Sequence, residues 1–216
     1  MFGLRVTTFL ELLCFLTALA TVRTDKKPLW RISLTYMFLV CLTELVVARW
    51  AAKTFHNNLF VYNIYTLFEG ALISAGIYHC LKAYTNPKKI IIIGLVIFYS
   101  LWIVFFLMHG IMTYNSWAGG VLSALIMLYC CYYYYFVLTD NAIMDINTNP
   151  EFWWVTGVLF FYFGTTTANL FHELFTSIMV KGNSLRNWIF TVLNIIFYSI
   201  LAYSFICRSK QRKLQS

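Results

Sequence analysis

Charge is what this chain has least of. Only 11% of its 216 residues are Asp, Glu, Lys or Arg, against 61% hydrophobic. A soluble domain of this length needs far more charged surface, so that class is excluded. Proline is nearly absent too, and Pro28, Pro87 and Pro150 all fall in joints between apolar runs, where they break no helix. No Gly/Ser linker interrupts the chain. The low-complexity exception is YCCYYYYF, and the longest polar stretches are loops and the basic tail RSKQRKLQS. The six cysteines, Cys14, Cys41, Cys80, Cys130, Cys131 and Cys207, lie in or at the ends of apolar segments without a CxxC spacing. They read as small buried hydrophobes rather than as a disulfide, zinc or redox framework.

Catalytic motifs are missing as well. No GxSxG occurs. His172-Glu173 begins as a zincin helix does, but Thr176 stands where the second histidine is needed. His56, His79, His109 and His172 share no helix face. Thr165, Thr166 and Thr167 read as small-residue packing between helices. No catalytic residue, metal site or cofactor is expected. The net charge of +8 does not imply nucleic acid, because the basic residues flank apolar runs and form no patch with room for a duplex.

What remains is a succession of apolar runs of bilayer-spanning length, and the expected partner is the lipid bilayer. Seven spans are expected, at 3–22, 31–53, 59–82, 90–108, 117–139, 153–179 and 187–207. The fold class is all-α: a single transmembrane domain over 1–216, a polytopic seven-helix bundle. Ala18-Leu19-Ala20 resembles a signal-peptide cleavage site, but Glu11 in the apolar region and only Arg5 before it favour a first helix.

Lys and Arg set the orientation. One side collects Arg23, Lys26, Lys27, Arg31, Lys82, Lys88, Lys89, Arg208, Lys210, Arg212 and Lys213; the other has Arg5, Arg49, Lys53, Lys181 and Arg186. The richer side is expected in the cytoplasm, with the N-terminus outside and the C-terminus inside. The loop with Asp140, Asp145 and Glu151 then faces the cytoplasm without a basic residue, but acidic residues weigh little in this rule. Trp30, Trp153, Trp154 and Tyr132 to Tyr135 are expected as an inner aromatic belt, and Trp50, Trp117 and Trp188 as an outer one.

Sliding the chain on itself by 125 residues lays helices two and three on helices six and seven. Leu34 meets Leu159, Phe38 meets Phe163, Asn58 meets Asn183 and Tyr78 meets Tyr203. Tyr36 meets Phe161, and Tyr65 meets Phe190. This predicts a parallel 3+1+3 repeat, with units at 3–84 and 117–208 and a linker helix at 90–108. Glu44 lands on Asn169, and Glu69 on Asn194.

Those polar residues are the candidate site. A rise of about 1.5 Å per residue puts Glu11 and Glu69 near mid-membrane, Glu44, Asn169 and Asn194 close by, and Arg49, His172 and Glu173 further out. Intramembrane ionisable groups face a bundle interior or a watery cavity and mark function. The glutamates are expected to face the asparagines across the pseudo-twofold axis, lining a pocket open to the outside. Arg49 either snorkels to the headgroups or pairs with Glu173 as a clamp for an anionic ligand.

YNIYTLFEGALISAGIYHCL, PEFWWVTGVLFFYFGTTTANLF and LRNWIFTVLNIIFYSILAYSF resemble a group of small, uncharacterised bacterial seven-helix membrane proteins. That resemblance implies a bacterial inner membrane and no particular activity. The layout alone is similar to the SWEET and PQ-loop transporters, although no Pro-Gln dipeptide occurs. The first expectation is a non-enzymatic sensor or signalling subunit, holding a small polar ligand and acting on a cytoplasmic or membrane partner. The alternatives are a small-molecule or proton-coupled transporter, with Glu44 and Glu69 as coupling groups, and an accessory or pore-forming effector that oligomerises.

Overall fold

The computed structural model describes residues 6–139, 146–180 and 182–215. Arg5, Asp140, Asp145 and Lys181, which entered the orientation argument, lie outside the described residues. The protein is all-helical apart from one small hairpin, Met179–Val180 paired with Asn183–Ser184.

The helices are α1 (Val6–Val22), α2 (Pro28–Leu42), α3 (Ala48–Phe55), α4 (Leu59–Leu81), α5 (Lys88–His109), α6 (Ser116–Thr139), α7 (Pro150–Leu170), α8 (His172–Ser177) and α9 (Leu185–Gln215). A π turn, Thr43–Val47, joins α2 to α3 as one continuous rod. Pro28 and Pro150 occupy first turns, where a missing N–H costs no helical hydrogen bond. Asn149 caps α7 by accepting a hydrogen bond from the Phe152 amide at 2.9 Å.

Among the described residues, five helices are long and apolar enough to cross a membrane: Pro28–Phe55, Leu59–Leu81, Lys88–His109, Ser116–Thr139 and Leu185–Leu214. α1 is a shorter apolar helix of 17 residues. In α7 the apolar character is diluted by four threonines and Asn169. The expected sixth span, 153–179, is instead broken: α7 ends at Leu170, Phe171 leaves helical geometry with φ −101° and ψ 31°, and α8 and the hairpin follow.

The helices pack in a closed ring. α1 meets α2, α2 meets α4, α4 meets α6, α6 meets α7, α7 meets α9, and α9 returns to α1. α5 lies outside it against α4 and α6, exposing Ile92, Ile93, Val96, Ile103 and Val104. Three side-chain bonds hold it: Tyr99 donates to the Leu67 carbonyl, Trp102 Nε1 to that of Asn63, and Tyr129 to that of Ile90. Close approach of α4 to α7 requires Gly76, since a Cβ there would lie 2.5 Å from the Trp154 ring.

The two ends of the ring are chemically different. At the basic end, Arg208 near the end of α9 donates from Nε to Asp25 Oδ2 at 2.6 Å and from Nη2 to Oδ1 at 3.2 Å. Both residues are buried. Arg212 donates to Thr24, and Lys27 pairs with Glu151 at 3.2 Å. The basic tail is therefore the last part of α9, latched to the α1–α2 loop. At the far end, buried Asn63 of α4 donates to the carbonyls of Ile111 and Thr113 at 2.7 and 2.8 Å and accepts from the Asn115 amide.

Between the ends lies the core. Trp30 and Trp154, expected in an aromatic belt, are 0% and 2% exposed and belong to it. The ring interior at their level is wide and apolar, and large aromatics fill it. The tyrosine run divides: Tyr133 is buried, Tyr134 shares a 2.6 Å hydrogen bond with Thr156, and Tyr135 is exposed. Trp50, Trp117 and Trp188, at the far end, are exposed.

Candidate functional site

The polar residues singled out in the sequence fall into two groups. The first belongs to α1 and the α2–α3 rod. Glu11 is buried, with Oε2 unpartnered. Its charged neighbours are Glu44 and Arg49, both half-buried. Glu44 sits in the π turn, whose wider winding admits one extra residue and re-aims the side chains around it; such turns recur at functional sites.

The second group belongs to α4, α7 and α9. Glu69 Oε1 accepts a 2.9 Å hydrogen bond from the Tyr162 hydroxyl. Asn169 Oδ1 accepts from Arg186 Nη2 at 3.3 Å, and Asn194 donates to the Phe190 carbonyl of its own helix at 2.8 Å. The expected facing of glutamates and asparagines is thus replaced: Tyr162 answers Glu69, and Arg186 answers Asn169. The reason is reach. A tyrosine crosses the space between α4 and α7, whereas the short Asn194 side chain finds its own backbone first.

Tyrosines connect the groups. Tyr36 and Tyr198 are electrostatic neighbours of both Glu11 and Glu69, and Tyr65 is a hydrogen-bonding neighbour of Tyr36. Glu11 and Glu69 thus lie in one neighbourhood with Tyr36, Tyr65, Tyr162 and Tyr198. Those tyrosines went unread in the sequence because apolar aromatics surround them. One signal was available: Tyr162, Thr165, Thr166 and Asn169 recur at helical spacing and form a polar stripe on one face of α7.

Further out, the structure brings in Arg186, which the sequence counted only as flanking charge. Its guanidinium lies 4.9 Å above the Phe190 ring, and its Nε is buried without a partner. Thr165 Oγ1 is likewise buried and unpartnered, and Tyr114, beside Arg186, is a neighbour of Glu69 as well. Glu173 is exposed on α8 and forms no ion pair with Arg49 among the described residues. His172 opens α8, and its side chain lies outside what the structure describes. Among the described residues, no three His, Cys, Asp or Glu side chains are grouped as a metal site requires.

Toward the basic end the buried side chains become mostly apolar, with Ser33, Ser74 and Ser204 among them. Val22, Met37, Ile77, Val155, Val158, Leu201 and Phe205 join Trp30 and Trp154 in a fully buried layer. From Glu69 to Ile77 along α4 this layer is about 12 Å deep at 1.5 Å per residue. Beyond it, at the basic end itself, a cavity of about 430 Å³ is lined by Lys27, His79, Lys82, Tyr84, Tyr133 and Glu151, among others. Comparison with known protein families, with curated proteins and with solved structures finds no match.

Proposed function

We propose that this chain is a seven-span integral membrane protein of a bacterial inner membrane, N-terminus outside and C-terminus cytoplasmic. It binds a small polar ligand in an outward-facing cleft between α4, α7 and α9 and acts as a sensor or signalling subunit. The observation that carries this reading is the largely apolar layer between the glutamates and the basic end, where buried Ser33 and Ser204 are bonded to their own helix backbones. A binding module can be sealed in this way, whereas an open pore cannot.

Two further features support the reading. The ring is unchanged in pattern when α1, α2 and α4 are exchanged for α6, α7 and α9: α1 against α9 becomes α6 against α4. The π turn in the first unit and the break at Phe171 in the second also coincide, since Val46 and Phe171 are 125 residues apart. Both favour a duplicated three-helix unit with α5 as linker, a layout whose ligand sites lie at the unit interface. The output is α9. At 31 residues it is about 46 Å long, and it joins the cleft at Arg186 to the latch at Arg208, so displacement at one end is felt at the other. A cytoplasmic or membrane partner reading the latch completes the signal.

The second reading is a transporter. It draws on the same exchange pattern and on the cavity at the basic end, which supplies polar groups on the inner side. Proton flux separates the two. In liposomes holding a pH dye and a proton gradient, wild type, Glu69→Gln and Glu44→Gln should all leave the gradient intact. Collapse in wild type that either substitution abolishes would replace the sensor with the transporter.

A further inference from the structure

Four side-chain atoms among the described residues are buried without a hydrogen-bond partner, and three of them belong to the polar half of the ring: Glu11 Oε2, Thr165 Oγ1 and Arg186 Nε. Natural interiors satisfy such groups almost completely, so each one calls for an explanation, a bound water, ion or ligand being among the common ones. Arg186 is the most informative, because its charge cannot be removed by deprotonation. Among the described residues no carboxylate lies within ion-pair distance of it. Its protein acceptors are neutral, the Asn169 amide oxygen at a long 3.3 Å and the Tyr114 hydroxyl, and the Phe190 face covers one side of the guanidinium.

We propose that the outward cleft takes a small organic carboxylate, gripped by the Nε and Nη2 edge of Arg186 and by the Thr165 hydroxyl. This rests on the binding cleft proposed above and names its ligand class. A guanidinium edge offers two parallel N–H donors at the spacing of the two carboxylate oxygens, and here the Nε half of that fork is free. Thr165 lies one helical turn before Asn169, the residue already on Arg186, so its free hydroxyl sits on the same face of α7. Tyr162 is one turn deeper on that face and leads to Glu69. A hydroxyl or amino group on the ligand would therefore meet an acceptor below the carboxylate. The geometry favours a planar carboxylate over a phosphate, because one free N–H and one hydroxyl are too few donors for three anionic oxygens.

The test is a ligand-dependent thermal shift on the purified full chain in detergent at fixed ionic strength. The probes are acetate and glycolate, with acetamide, inorganic phosphate and glycerol as comparisons. Wild type should be stabilised saturably by the carboxylates, glycolate more than acetate, and not by acetamide. Arg186→Lys keeps the charge but loses the fork, and should weaken the apparent affinity by about ten-fold or more. Thr165→Val should weaken it by a smaller factor while leaving the unliganded melting temperature near that of wild type. A carboxylate response that survives Arg186→Lys unchanged overturns the assignment, as does a response to phosphate alone, which would indicate a headgroup or free phosphate. Silence to carboxylates with a glycerol response sensitive to Glu69→Gln also overturns it, yet leaves the cleft standing as a binding site. Failure of the cleft itself would show as silence to every probe.

Discussion

The two ends of the bundle solve the same problem in opposite ways. Each brings cations and carboxyl groups close to an apolar interior. At the basic end, Asp25 and Arg208 meet in two hydrogen bonds, the Lys27 amide donates a third to Asp25 Oδ1, and Arg31 and Arg212 donate to the Asp25 backbone carbonyl and to Thr24. Above the apolar layer the pairing is less complete: Glu11, Thr165 and Arg186 each keep an unpartnered buried atom, against Trp30 Nε1 on the basic side. A closed network specifies one arrangement of helices, whereas an open one retains free energy for a ligand to collect. Under the proposed function, the difference corresponds to closure at one end and recognition at the other.

The comparison is broken most severely by removing one half of the latch. Arg208→Ala leaves a buried carboxylate and should cost about 3–5 kcal/mol of unfolding free energy, measured by denaturation in mixed micelles. Replacing both partners by apolar residues should recover much of that loss. The latch also has a defined pH response. Burial by itself pushes the Asp25 carboxyl up, but the Arg208 hydrogen bond, the Lys27 amide and the charges of Arg208 and Arg212 outweigh it and hold it below its ordinary value of 3.8. A depressed carboxyl contributes fully above the unfolded value and is lost as pH falls through the folded one. Melting curves of wild type and Asp25→Asn should therefore differ at neutral pH and converge only below about pH 3.8.

Next in size is Asn63→Ala at the far end, which strands the Ile111 and Thr113 carbonyls and should cost about 1–3 kcal/mol in the same assay. Glu69→Gln should change stability by less than about 1 kcal/mol, because an amide oxygen still accepts from Tyr162, while ligand-induced shifts fall sharply. That separation of stability from response is what distinguishes a recognition site from glue between helices. The smallest effect belongs to Lys27→Ala. Its pair with Glu151 has the lysine about half exposed, so the melting temperature should move by an amount equivalent to less than about 1 kcal/mol.

Much of the frame was legible in the sequence, because apolar length and proline placement are local properties. Glu11, Glu44 and Glu69 stood out for the same reason: a carboxyl in an apolar run is conspicuous without knowing its neighbours. Asp25 was passed over, since an aspartate beside two lysines in a loop looks solvated, and its partner lies 183 residues away. Trp30 and Trp154 were placed at an interface because they begin helices; only the packed ring shows that they fill it. Arg186 was read as a flanking charge until α7 and α9 brought it to Asn169.

By itself, then, the sequence determined a chain rich in membrane-length helices, with carboxyl groups at mid-depth and an excess of basic residues on one side. These follow from composition and from the fixed rise of a helix. Only the tertiary structure decided which end is latched, which atoms remain unpartnered, and where the α2–α3 rod and α7–α8 depart from regular helix. A hydrogen bond across 93 or 183 residues depends on two helices meeting in one register, and no local pattern records that meeting.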